Sequence, residues 1–306
     1  MLTYYERRPF LIGIFCRFSP LNDARKFPVN VTFSQRLQEL RSRKGSVLCV
    51  GLDPDPSRIP DHLVQELGIE SAVTSFCREI IRETSPFAIA FKINFAFFEA
   101  LGDQGFSVMR SVMDALPGDV LTIADAKRGD IGNSAAFYAR SVFDNFGYDS
   151  VTISPYMGRD SVTPFLQYPG TCAFVLTRTS NPGGSDFQTL QTESGPLFTH
   201  LANEAVSWSD GEVGETGLVV GASDIDALQT LRVSHPSTPF LVPGVGAQGG
   251  SASEVMSAAG NGPILVNSSR SILYASDGKD FGHAARKAAQ FYCESINRAR
   301  ETTLHD

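Results

Sequence analysis

The stretch "DVLTIADAKRGDIGNSAAFYARSVFDNFGYDSVTISP", residues 119–155, decides the fold. It opens on an apolar run (119–127), crosses a polar loop and enters a helical pattern over 133–147. That pattern sets Phe137, Val142 and Phe146 on one face and closes on Gly147, a helix stop. A second apolar run, "DSVTISP" (149–155), follows at once. Strand, helix and strand in this order predict a parallel strand pair bridged by a helix.

The same alternation extends in both directions. Apolar runs occur at "SVLCVGLD" (46–53), "FAIAFKIN" (87–94), "CAFVLTR" (172–178), "GLVVGA" (217–222), "PFLVPG" (239–244) and "PILVNSS" (263–269), which with the first two makes eight. Near-continuous apolar strands suit a parallel sheet covered on both faces. A helix over 70–84 carries Val73, Phe76, Cys77, Ile80 and Ile81 on one face, and 283–300 reads as the last helix. Eightfold alternation predicts an α/β fold, a single (β/α)8 barrel of the TIM type, with a doubly wound open sheet as the structural rival. An extra amphipathic helix (32–45) precedes the first strand. Residues 1–31 are read as a disordered or loosely attached extension, and 32–306 as one barrel domain.

The chain has 306 residues, 42% hydrophobic and 19% charged, with a formal net charge of −7. The acidic balance disfavours nucleic acid as a partner. No run reaches the roughly 18 apolar residues of a membrane span, and a cytoplasmic location is expected. The short run after Arg7 and Arg8 lacks a small-x-small cleavage site, and Arg17 interrupts it. Cys16, Cys49, Cys77, Cys172 and Cys293 stand singly, which argues for a reducing compartment and against a disulfide framework. The five histidines form no H-E-x-x-H pattern, so no metal site is expected.

Charged and polar residues gather where the apolar runs end. Asp53 ends the first run, Lys92 and Asn94 the second, Asp125 and Lys127 the third, and Ser154 the fourth; Gln248 and Arg270 follow the seventh and eighth. In a barrel this is the active-site end. Residues two apart on a strand share a side, which pairs Asp125 with Lys127 and Lys92 with Asn94. Alternated charges of this kind hold one another ionised. A salt-bridged loop end is the plainer alternative for D-x-K-x-x-D taken alone, but a matching lysine one strand earlier favours chemistry. Asp130 lies past the strand end, and alternation does not give its direction. "VPGVGAQGGSASE" (242–254) offers backbone N–H groups at its glycines, and Ser251 with Glu254 is expected to form a capping box. Beside Arg270, this loop points to a phosphate site.

Together "GLDPDPSRIP", "FKINFAFFE", "DAKRGDIGNSA", "TISPYMG", "LTRTSNPGG", "VPGVGAQGG" and "VNSSRSILYA" resemble the orotidine 5′-phosphate decarboxylases, most closely their longer-chain subgroup (type 2). The resemblance covers about residues 32 to 300. It implies a carboxy-lyase of pyrimidine synthesis that converts orotidine 5′-phosphate to uridine 5′-phosphate and CO2 without cofactor or metal, as a homodimer with shared active sites. It casts Lys92, Asp125, Lys127 and Asp130 as the catalytic charge network, with Lys127 the proton donor to C6. Asp130 would come from the partner subunit, with Ile131 and Ser134 beside it. Asp53 and Asn94 resemble ribose contacts, Ser154 the pyrimidine-binding serine and Pro243 a neighbour of the base. Gln248 and Arg270 resemble phosphate ligands, and Ser269 joins the substrate-binding set. Ser134 departs from the threonine often found in the family but keeps the hydroxyl.

Two other readings remain open on sequence. One is a metal-dependent sugar-phosphate decarboxylase or aldolase, which Lys92, a poor metal ligand, argues against. The other is a non-catalytic barrel that senses a pyrimidine nucleotide. The role of 177–188 is open between a lid, an interface loop and, for Arg178, a purely structural part.

Overall fold

The computed structural model describes residues 31–245 and 250–303, with side chains to residue 300. Every expected apolar run forms a strand: β1 (Leu48–Leu52), β2 (Ala90–Asn94), β3 (Leu121–Arg128), which runs one residue past its expected end, β4 (Ser150–Ile153) and β5 (Cys172–Arg178). A small antiparallel hairpin, β6 (Gln191–Thr192) and β7 (Gly195–Pro196), stands apart. Then come β8 (Glu215–Val220), which starts two residues early, β9 (Phe240–Pro243) and β10 (Ile264–Ser268). The eight longer strands close in the order β1-β10-β9-β8-β5-β4-β3-β2. The first and last pair in parallel, Leu48 opposite Val266, so the doubly wound alternative is excluded. The extension expected over 1–31 lies, except for Val31, outside the described residues.

Two apolar clusters divide the core. The larger lies between the strands and the helices outside them. There the helix Ile69–Thr84 buries Val73, Phe76, Cys77, Ile80 and Ile81, as their spacing requires. The smaller fills the barrel. Cys49, Ala90, Leu121, Ile123, Cys172, Phe174, Val219, Leu241 and Leu265 meet Phe33, Leu37 and Leu40 of helix α1 (Phe33–Lys44).

The extra helix is therefore a plug. Thr32 and Gln35 form a capping box at its start, and Gly45 ends it in the left-handed conformation at φ 56°. Phe33 meets the Phe174 ring edge-on at 5.7 Å. Arg36 pairs at 2.5 Å with Asp149, just before β4, and the Ser34 hydroxyl donates to Glu215 at the start of β8. Those contacts place α1 across the N-terminal mouth. Burying one such aromatic stabilises by about 1.5–3 kcal/mol.

One helix departs from its expected phase. The segment after β3 is α-helical over Gly132–Arg140 and then widens into a π-helical turn, Ser141–Phe146, which Gly147 ends at φ 73°. The wide turn slips the periodicity. Val142 and Phe143 are buried, while Phe137, expected on the apolar face, is 54% exposed.

The described cysteines are free and buried. Burial pushes the Cys49 thiol up to about 12, which keeps it protonated and inert. No described helix is long and apolar enough to cross a membrane.

Candidate active site

Alternation from the barrel-filling residues carries the inward face of each strand up to the C-terminal mouth. From Cys49 it leads to Gly51 and Asp53, from Ala90 to Lys92 and Asn94, and from Ile123 to Asp125. From Ser150 it leads to Thr152 and Ser154, and from Leu265 to Asn267 and Ser269. Gly51 must be bare, because a Cβ there would lie 2.8 Å from Ser269 Cβ. This close approach lets the Ser269 hydroxyl donate to Asp53 Oδ2 at 2.6 Å.

Asp125 is the hub. Its Oδ2 accepts from Lys92 Nζ at 2.5 Å and its Oδ1 from Lys127 Nζ at 2.5 Å. Asp53 Oδ1 lies 3.8 Å from Lys92 Nζ on the other side. The side chains of Lys92 and Asp125 are 7% and 8% exposed, but that of Lys127 is 51% exposed, so only Lys127 presents its ammonium to the open mouth. Burial alone would push the Lys92 ammonium down; the Asp125 and Asp53 carboxylates outweigh it and hold its pKa above the ordinary lysine value. Burial alone would likewise raise Asp125; Lys92 and Lys127 instead hold it well below the usual carboxylate range. Lys92 and Asp125 stay charged because they are paired.

Lys127 reaches Asp125 by another route than strand alternation. β3 and β4 pair at Ala124 with Val151 and next at Arg128 with Ile153, so β3 carries extra residues between. Within them Lys127 adopts φ 45°, the only positive φ of a non-glycine residue among those described. The left-handed conformation costs about 1–2 kcal/mol for a residue with a side chain. Its displaced N–H donates to Thr152 Oγ1 at 3.0 Å, and that hydroxyl donates to Asp125 Oδ1 at 3.1 Å. Sequence reasoning missed Thr152, although it lies on the inward face of β4, beside β3 and two residues before Ser154.

The remaining expected residues divide. Asp53 Oδ1 and Asn267 Oδ1 are buried acceptors with no hydrogen-bond partner. Tyr274, also missed, donates to the Asp53 carbonyl at 2.8 Å and accepts from Asp55 N at 2.7 Å, fixing the loop behind the site. Asn94 caps the helix Phe95–Glu99 by accepting from Ala96 N at 3.3 Å. Ser154 N donates to the Arg128 carbonyl at 2.7 Å. Pro243 ends β9, and its carbonyl accepts from Ala222 N at 2.9 Å. Arg270 is exposed at the start of the short helix Arg270–Leu273, directly after Ser269.

Asp130 does not join the array of its own chain; its Oδ1 accepts from Ile131 N at 2.8 Å. Ile131 is 53% exposed, and Ser134 is exposed beside it. Gln248 lies outside the described residues. The expected capping box at Ser251 does not form: Ser251 makes no side-chain cap bond and instead shares a 2.7 Å contact with the Ser253 hydroxyl. In 177–188, Arg178 pairs with Asp224 at 2.7 Å, and Gln188 accepts from Thr179 N at 2.9 Å, which clasps the loop to the barrel. No group of three or more histidine, cysteine or carboxylate side chains comes together as a ligand set among the described residues.

Residues 46–285 match the family described as Orotidine 5′-phosphate decarboxylase / HUMPS family. The chain is 43% identical over 276 residues to an orotidine 5′-phosphate decarboxylase of Dehalococcoides mccartyi, with 88% of this chain and 98% of that protein covered. Among solved structures, Leishmania donovani OMP decarboxylase superposes with a TM-score of 0.76 at 37% identity, covering 89% of this chain and 100% of the other. Leishmania donovani UMP synthase gives a TM-score of 0.78 at 38% identity; this chain spans only 57% of its length.

Proposed function

The chain belongs to the orotidine 5′-phosphate decarboxylase family, and from that premise we propose how its barrel mouth performs the reaction. The activity is decarboxylation of orotidine 5′-phosphate to uridine 5′-phosphate and CO2 in pyrimidine biosynthesis. The observation that supports the residue roles is Asp125, held ionised between Lys92 and Lys127 at the C-terminal mouth.

When the bond from C6 to the carboxylate breaks, its electron pair stays on C6 and CO2 leaves. The Lys127 ammonium stabilises that charge and then delivers its proton to C6. Solvent reprotonates Lys127, whose side chain is half exposed. Asp125 aims the Lys127 ammonium, and Lys92 neutralises the other face of Asp125. The Lys92 ammonium stands between Asp53 and Asp125, so a divalent cation brought to these carboxylates would meet a like charge. That placement favours a reaction without metal or cofactor over a metal-dependent relative's chemistry. Asp53, with one buried oxygen that takes no hydrogen bond, and Asn94 face the ribose; Ser154 and Pro243 take the base. Ser269, Arg270 and Gln248 hold the phosphate, whose binding helps close the site on the reacting ring.

Asp130, Ile131 and Ser134 complete the site of a partner subunit in a homodimer. Ile131, Phe137 and Tyr138 remain exposed just beyond Asp130, an apolar surface that a second copy would cover. The buried free cysteines suit a reducing cytoplasm.

Turnover of orotidine 5′-phosphate by the purified chain tests the reaction, and turnover preserved after exhaustive chelation tests its independence from metal. Loss of activity on chelation overturns the latter. For the shared site, Lys127→Ala and Asp130→Ala proteins are mixed under subunit exchange. Each is inactive alone, and their hybrid should regain activity at the one site with both residues intact. No recovery in proven hybrids overturns the assignment of Asp130.

A further inference from the structure

The proton donor sits on a backbone that does not hold itself. The extra residues in β3 remove the Lys127 N–H from the ladder with β4, and the residue is left-handed at φ 45°. An orphaned N–H and an unfavourable conformation at one position need a neighbour to fix them. The neighbour is Thr152, 2% exposed, from the adjacent strand.

We propose that Thr152 is a positioning residue for Lys127. Its Oγ1 accepts the Lys127 N–H at 3.0 Å, so its single proton is free for Asp125 Oδ1 at 3.1 Å. The same Oδ1 accepts from Lys127 Nζ. The hydrogen bonds thus form a closed ring that begins at the Lys127 backbone and returns to the Lys127 ammonium. One hydroxyl fixes both ends of the proton donor. A β-branched residue suits the task, because restricted χ1 freedom keeps the hydroxyl in one rotamer. Removing it frees the Lys127 backbone and the Asp125 carboxylate together, displacing the ammonium from C6 without touching the nucleotide.

This inference rests on the decarboxylase reading, and the wild-type enzyme separates the two. Absence of turnover by wild type sinks that reading, whereas wild-type turnover that Thr152→Val leaves unchanged sinks only the positioning role. Thr152→Val keeps shape and removes the hydroxyl, so kcat should fall about 10- to 100-fold, the scale of a small misplacement of reacting groups. Uridine 5′-phosphate, used as the binding probe, should keep its dissociation constant within about threefold. Thr152→Ser restores the hydroxyl and should return kcat to within about fivefold of wild type. Should Thr152→Val not fold, Thr152→Ala compared with Thr152→Ser makes the same decision, since the two differ only in the hydroxyl. The proposal is overturned if kcat is insensitive to loss of the hydroxyl, if serine fails as badly as valine or alanine, or if the loss appears equally in nucleotide binding.

Discussion

The two mouths of the barrel each carry a carboxylate paired with a buried cation, and they use it differently. At the N-terminal mouth Asp149 accepts from Arg36 at 2.5 Å and from the Thr122 N–H and hydroxyl at 2.8 Å each. Phe33, Leu37 and Leu40 seal the barrel interior at that end. At the C-terminal mouth Asp125 holds two ammonium groups, and one of them, on Lys127, stays half exposed. A carboxylate whose donors are pinned within the fold makes a joint. A carboxylate that shares itself with a cation facing the opening makes a reagent.

Lys127→Ala tests this contrast most severely. It should lower kcat by about 10⁴-fold or more, since electrostatic stabilisation and proton donation are lost together. Its thermal midpoint should stay near wild type, because the side chain is half exposed and Lys92 still pairs Asp125. A single-turnover measurement within tenfold of wild type breaks the comparison.

Asp125→Asn should destabilise by about 3–5 kcal/mol in urea titration, because Lys92 is left buried with only the more distant Asp53, at 3.8 Å, as counter-charge. The folded-state pKa of Asp125 is depressed, so its contribution is present above the unfolded value of about 4 and is lost as pH falls below it. The stability gap between wild type and Asp125→Asn should therefore shrink below about pH 4. A gap that widens there contradicts the pairing.

Phe33→Ala loosens the plug and should cost about 3–5 kcal/mol of stability. Because it acts at the sealed mouth, kcat per folded molecule should change by less than about threefold, measured below the melting transition. A large loss of kcat in a stably folded variant would show that the two mouths are not independent.

The smallest effect belongs to Ser251→Ala, which should stay within about 0.5 kcal/mol of wild type in urea titration because the hydroxyl caps nothing. A loss near that of a true N-cap, about 1 kcal/mol, contradicts the observed geometry.

The strands were legible because a parallel barrel writes each one as a local apolar run, and the charged mouth because it lies where those runs stop. What escaped depends on contacts between elements. The bulge at Lys127 exists only in the register of β3 against β4. Thr152 reads in "DSVTISP" as one more β-branched strand residue. Phe137 comes to the surface because the next turn is π-helical, which its own spacing does not reveal. The helix at 32–45 was visible as amphipathic, but the surface it faces is assembled from strands far along the chain.

That last point has a consequence during synthesis. Phe33, Leu37 and Leu40 emerge early, whereas Phe174, Leu241 and Leu265, which they pack against, emerge much later. At roughly 5–20 residues per second, α1 waits on the order of ten seconds or more before its seat exists. Barrel closure itself waits for β10 to meet β1. A nascent chain thus carries the apolar face of α1 unburied until β5, β9 and β10 have followed it.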